Sequence, residues 1–227
     1  MSELANKEYY DRAYEKGYGI MFPESPVIRW YERVLKYELG IDGSDGKVML
    51  DFGCGNGTHS LFFRSKGFAV YGSDIDERAV ELAKTRMRDI ENHFYTMRVL
   101  EDIRDVFKTK FDVILANQVL YYLDSRNLET TLQMFDSMLN KNGIVFFSMV
   151  STKHYLNNHV VETREDGFSL VRLKGRLEGE LLVNFTKDLD HLKQKFAVFE
   201  PLYLGHYDYC MLEGDSRHHF AFTGRKR

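Results

Sequence analysis

Lys47-Val48-Met49-Leu50-Asp51-Phe52-Gly53-Cys54-Gly55-Asn56-Gly57 is the stretch whose reading decides the fold. Lys47 to Asp51 is a short apolar run closed by an acid, the pattern of a strand buried on both faces. Glycine then recurs at every second position, which lets the backbone turn tightly and approach a ligand closely. A helix follows from Thr58 to Lys66 and is stopped by Gly67. Its first amides and its dipole aim at whatever occupies the turn. A tight turn without a ligand is the alternative, and the rest of the chain weighs against it.

Working outward, the strand-then-helix rhythm repeats, as it does in a parallel sheet covered on both faces. Strands are expected at Phe68 to Ser73, His93 to Leu100, Phe111 to Asn117 and Ile144 to Val150. Helices are expected at Asp76 to Arg88 and from a Ser125 cap to about Asn140, with Asn142-Gly143 turning the chain into the fifth strand. Beyond it Thr186 caps a helix to Phe196, and strands near Ala197 to Leu204 and Arg217 to Thr223 end the chain as a hairpin. Two helices precede the sheet, Glu3 to Lys16 and Pro26 to Leu39, joined by a loop containing Gly17-Tyr18-Gly19. Tyr10 and Tyr14 share one helical face, which fits plain packing as well as a lid hinged at that loop; Tyr9 and Tyr18 belong to the same segment. The expectation is one α/β domain over 1–227: helices and a possible lid in 1–40, a ligand-binding core in 47–150, and acceptor-side loop and terminal strands in 151–227.

The 227 residues carry 44% hydrophobic and 29% charged residues, ordinary for a globular protein. A formal charge of -3 gives no general pull towards nucleic acid or acidic membranes. No apolar run approaches the roughly 20 residues of a membrane helix, and Met1 to Gly19 lacks the order of a signal peptide. The two cysteines, Cys54 and Cys210, suggest neither a disulfide framework nor a zinc site, so a reducing, cytoplasmic compartment is expected and no metal.

Three nucleotide-type readings compete at the glycine turn. A phosphate-gripping P-loop ends Gly-Lys-Ser/Thr, whereas the chain reads Gly57-Thr58-His59. A nicotinamide fingerprint needs its third glycine at position 58, occupied by Thr58. An acid followed by alternate glycines resembles motif I of the class I S-adenosylmethionine-dependent methyltransferases, small-molecule type. The resemblance covers 47–150 well. It implies a Rossmann-like, doubly wound, mostly parallel seven-stranded sheet, with S-adenosylmethionine as cofactor.

By that resemblance Asp51, Gly53, Cys54, Gly55 and Asn56 form the cofactor turn. Asp74, in Gly72-Ser73-Asp74-Ile75-Asp76, takes the ribose hydroxyls, as a carboxylate suits a vicinal diol. Ile75 lies against the adenine. In Leu100-Glu101-Asp102-Ile103, Asp102 faces the adenine amino group and Ile103 packs on the ring, with Glu101 the alternative acid. Asn117 lines the methionine tail. Asn117-Gln118-Val119 departs from the Pro-Pro-aromatic sequence of enzymes methylating amide or base nitrogens in polymers. A small polar acceptor (oxygen, nitrogen or sulfur) and a monomer or homodimer are therefore expected, with no nucleic acid. The alternatives are RNA or protein methylation, a non-catalytic cofactor-binding module and, more distantly, a nicotinamide oxidoreductase. Candidates for the acceptor side are Tyr121, Tyr122, His154, Tyr155, His206, Tyr209 and His218, each with a plain packing role as its rival.

Overall fold

Alternating side chains along the central strands build the architecture. In β1 (Val48–Phe52) Met49 faces one side and Leu50 the other. The same split separates Val113 from Ile114 in β4 (Phe111–Ala116) and Phe146 from Phe147 in β5 (Leu139–Val150). Both faces are apolar, so both must be covered, and helices cover them. A computed structural model describes residues 22–175 and 178–227. The first expected helix and Tyr9, Tyr10, Tyr14 and Tyr18 lie outside the described residues.

One face is covered by α1 (Ser25–Trp30), which continues with wider, π-type winding over Tyr31–Glu38, and by α2 (Thr58–Ser65) and α3 (Glu77–Arg86). Trp30, Leu35, Phe63 and Val80 pack there. The other face is covered by α4 (Ser125–Met138) and α5 (Leu189–Lys195), through Leu132, Phe135, Leu192 and the adjoining Phe196. Between the helix layers, β2 (Ala69–Asp74), β3 (Phe94–Thr96), β9 (Glu200–Tyr207) and β10 (His219–Arg225) complete a seven-stranded sheet. Its order is β3-β2-β1-β4-β5-β10-β9, and β10 alone pairs antiparallel to both neighbours. This is the expected doubly wound sheet with its hairpin finish. The strand order reverses between β1 and β4, leaving a crevice above their carboxyl ends.

Several boundaries differ from the sequence reading, each for a local reason. Strand β3 is only three residues long. Asp124, not Ser125, caps α4, its carboxylate accepting from Asn127 N at 2.7 Å. Asp188, not Thr186, caps α5 through His191 N at 2.8 Å. Asn142 takes the turn with φ 61° inside a strand that already begins at Leu139. A feature absent from the sequence reading is a separate antiparallel sheet, β6 (Val160–Thr163), β7 (Ser169–Leu173) and β8 (Gly179–Val183), inserted between β5 and α5.

Because the capping bond belongs to Asp124, Asp124→Ala will cost about 0.5–2 kcal/mol. Ser125→Ala, at an exposed site, will stay within about 0.5 kcal/mol. Urea midpoints of the two variants compare them directly.

Candidate active site

The glycine turn is stitched to the end of β2. Gly53 N and Cys54 N both donate to Ser73 O, at 2.8 and 3.0 Å. Gly55 N donates to Asp74 Oδ2 at 2.8 Å, and Asp76 N to Asp74 Oδ1 at 3.0 Å. Gly53, Gly55 and Gly57 have φ of 75°, 51° and 74°, the left-handed region in which a side chain is strained. At Gly53 a Cβ would also lie 2.7 Å from Val119. On its outer side the turn is pinned by the Arg86 guanidinium, which donates to Asn56 O (3.0 Å) and Thr58 Oγ1 (2.9 Å). Helix α2 then starts from Gly57 with no side-chain cap.

Above this turn lies a cavity of about 420 Å³, within the size range of small-molecule sites. Gly53, Cys54, Gly55, Asn56, Asp74, Ile75, Asp102 and Asn117 line it, as the sequence reading places them. Two expected residues lie behind the wall. Asp51 is 2% exposed and accepts from Ser60 Oγ at 2.6 Å, supporting the turn from below. Burial there pushes its carboxyl up to about 7. Ile103 is fully buried in the core beneath the cavity floor.

At one end of the cavity, Asp102 is held by the Arg104 guanidinium, which keeps its carboxyl below the usual range. Glu101 is engaged by Tyr95 OH (3.0 Å) and Arg98 N (2.7 Å). In the middle, burial raises the Asp74 carboxyl. Beside it Asp76 caps α3 through Oδ1 (3.0 Å from Ala79 N), while its buried Oδ2 has no partner among the described residues.

The opposite end carries a network absent from the sequence reading. Glu24 Oε2 accepts from Asn117 Nδ2 and Gln118 Nε2, both at 2.8 Å. Asn117 Oδ1 accepts from Ser148 Oγ (2.9 Å) and Tyr207 OH (3.4 Å). Gln118, at φ 57°, is braced by its N–H to Ser148 Oγ at 2.7 Å. Such strained backbone concentrates at ligand sites. Glu24 N donates to His59 Nε2 at 3.3 Å, and burial lowers the His59 imidazole to about 4. Burial also raises the Glu24 carboxyl. In the sequence His59 enters only as the residue after Thr58, which stands where a P-loop lysine would be.

Of the acceptor-side candidates, Tyr121 and Tyr122 line the cavity. His154, Tyr155, His206, Tyr209 and His218 do not; they cluster beside it at the end of the β9–β10 hairpin. His154 is buried, accepts from Leu156 N at 3.2 Å and meets the ring of His219 at 5.2 Å. Burial lowers its imidazole to about 3. His206 and His218 stack on each other at 5.1 Å, and Tyr155 lies under the Arg217 guanidinium. Among the described residues no group of three or more His, Cys, Asp or Glu is placed to hold a metal, and no helix is long and apolar enough to cross a membrane.

A doubly wound sheet whose glycine turn, β2 acid and cavity meet at the strand reversal defines the class I methyltransferase fold. The methyltransferase domain family matches over residues 24–212, and the chain belongs to it. The cofactor this family implies here is S-adenosylmethionine. A SAM-dependent methyltransferase from Methanosarcina mazei superposes with a TM-score of 0.67 at 19% identity, covering 90% of this chain and 99% of that one. The 1,6-didemethyltoxoflavin-N1-methyltransferase of Burkholderia thailandensis gives 0.65 at 18%, covering 98% and 88%. A ubiquinone biosynthesis O-methyltransferase of Shewanella halifaxensis is 30% identical over 112 residues, 48% of this chain and 46% of that protein. The chain spans only about half the length of the curated relatives it matches, 42%, 38% and 58% for three of them.

His59 is neutral in the fold because its folded value lies below the ordinary one near 6.5. The stability it contributes is therefore present above about pH 6.5 and lost as pH falls towards 4. Relative to His59→Gln, the wild type will lose about 1.4 kcal/mol per pH unit across that window. Urea titrations of both proteins between pH 7 and pH 4 check it.

Proposed function

We propose that the chain transfers a methyl group from S-adenosylmethionine to a small polar acceptor by in-line displacement. The observation that carries this reading is the Asp74 carboxylate, set in the cavity wall between the glycine turn and the unpartnered Asp76 Oδ2. A carboxylate has about four acceptor directions, so Asp74 retains capacity for ligand hydroxyls beyond its bonds to Gly55 N and Asp76 N. The orphaned Asp76 oxygen is a second acceptor that a donor-rich sugar would satisfy. The residues present thus fit the nucleoside. Ile75 and Met97 supply apolar contact to its base, with Asp102 at the edge; the turn amides and the Asn117 segment hold the amino-acid tail.

The cofactor supplies a methyl group on a sulfonium, already electrophilic, so the protein's part is alignment and exclusion of water. Alignment of this kind is worth up to about 7–11 kcal/mol. Tyr121 and Tyr122 stand nearest to the role of acceptor wall, because both line the same cavity. A compact acceptor also fits the charge of -3 and the absence of a Pro-Pro-aromatic sequence after Asn117. The Burkholderia neighbour, a toxoflavin N1-methyltransferase, is likewise named for a small heterocycle.

Asp74→Ala should leave the protein folded and weaken S-adenosylmethionine binding about 10- to 100-fold, the loss of charged hydrogen bonds. Calorimetry reads the change. An unaltered dissociation constant would reassign the ribose contact, and no heat from wild type would remove the reading altogether.

A further inference from the structure

The cavity is unevenly charged. Among the described residues Glu24, Asp74, Asp76, Glu101 and Asp102 line it, against one guanidinium, Arg104, which is already paired with Asp102. His59 adds no charge, because burial holds it neutral near pH 7. The four carboxylates that end or follow β2 and β3 have structural or sugar-facing work. Glu24 has neither: its partners at Oε2 are two neutral amides, Asn117 Nδ2 and Gln118 Nε2. The cation whose field reaches it, Arg217, is itself bridged to Asp215 at 3.5 Å. A desolvated carboxylate held by neutral donors is costly unless a positive charge joins it. Tyr121 and Tyr122 belong to the same wall, and aromatic rings attract cations.

Position gives the partner. Asp102 and Asp74 mark the base and sugar end of the cavity. Glu24 stands at the other end, bonded to Asn117 and Gln118 after β4, where the amino-acid tail and the transferred methyl would meet if the proposed function holds. We propose that Glu24 makes this end a subsite for a protonated amine acceptor and not for a carboxylate or phosphate: the ammonium gives its proton to the Glu24 carboxylate, the freed nitrogen lone pair takes the methyl, and the sulfonium leaves as a neutral thioether. This rests on the methyl-transfer reading. The methionine ammonium of the cofactor is a competing partner for Glu24, and the test separates the two.

S-adenosylhomocysteine and sinefungin are the probes; both carry the amino-acid ammonium, but sinefungin adds an amine beside the position of the transferred methyl. Calorimetry on wild type should show sinefungin binding about 10-fold or more tighter than S-adenosylhomocysteine, the worth of one charge-assisted contact. Glu24→Gln should abolish that preference while changing S-adenosylhomocysteine affinity by less than about twofold. The amide is near-isosteric; thermal melting confirms its fold, and Glu24→Asp should retain part of the preference. No preference in wild type, or a preference surviving in Glu24→Gln, overturns the subsite. An equal loss for both probes assigns Glu24 to the methionine ammonium and also overturns it. Failure of wild type to bind S-adenosylhomocysteine at all would instead sink the methyl-transfer reading.

Discussion

The bonds from Gly55 N and Asp76 N to the Asp74 carboxylate hold the cavity in shape. They join the turn after β1 to the turn after β2, beside the bonds from Gly53 N and Cys54 N to Ser73 O. Both begin helices, so fixing the turns fixes where α2 and α3 start and which way their first amides point. With three glycines in left-handed conformations, the turn has few internal restraints. Asp74, Arg86 from outside and Asp51 with Ser60 from below supply them.

The far end of the cavity depends on a different principle. Glu24 precedes α1, Asn117 and Gln118 follow β4, Ser148 lies in β5 and Tyr207 ends β9. The antiparallel insertion of β10 beside β5 places β9 at the sheet edge, with Tyr207 opposite His219. Three other segments thus converge on one amide, Asn117. A side chain occupied at both ends serves as a strut, and it holds Glu24 in the same cavity wall.

How much of this was legible in the sequence follows from distance along the chain. The β1 turn and the acid after β2 are local patterns, an apolar run closed by an acid and glycines, and both lie in the wall of one cavity. Glu24 and Asn117 are 93 residues apart, and Tyr207 lies 90 from Asn117. No periodicity within a window links such residues, so this half of the site was not readable. Asp51 looked like a ligand because it ends the strand, yet the inward pleat sends its carboxylate under the turn to Ser60. The β6–β8 sheet escaped notice for another reason: β6 is half-buried or exposed throughout and shows no clean apolar alternation.

Trp30 is the only tryptophan of the chain. It lies in α1, six residues beyond Glu24, with its indole N–H donating to Thr223 Oγ1 of β10 at 3.0 Å and its ring 4.7 Å from Phe146 of β5. The intrinsic fluorescence of the protein is therefore a single-site signal from the seam where α1 meets the sheet. Undocking of α1 would wet the indole and shift its emission to the red, with no label attached and no second indole to dilute the change.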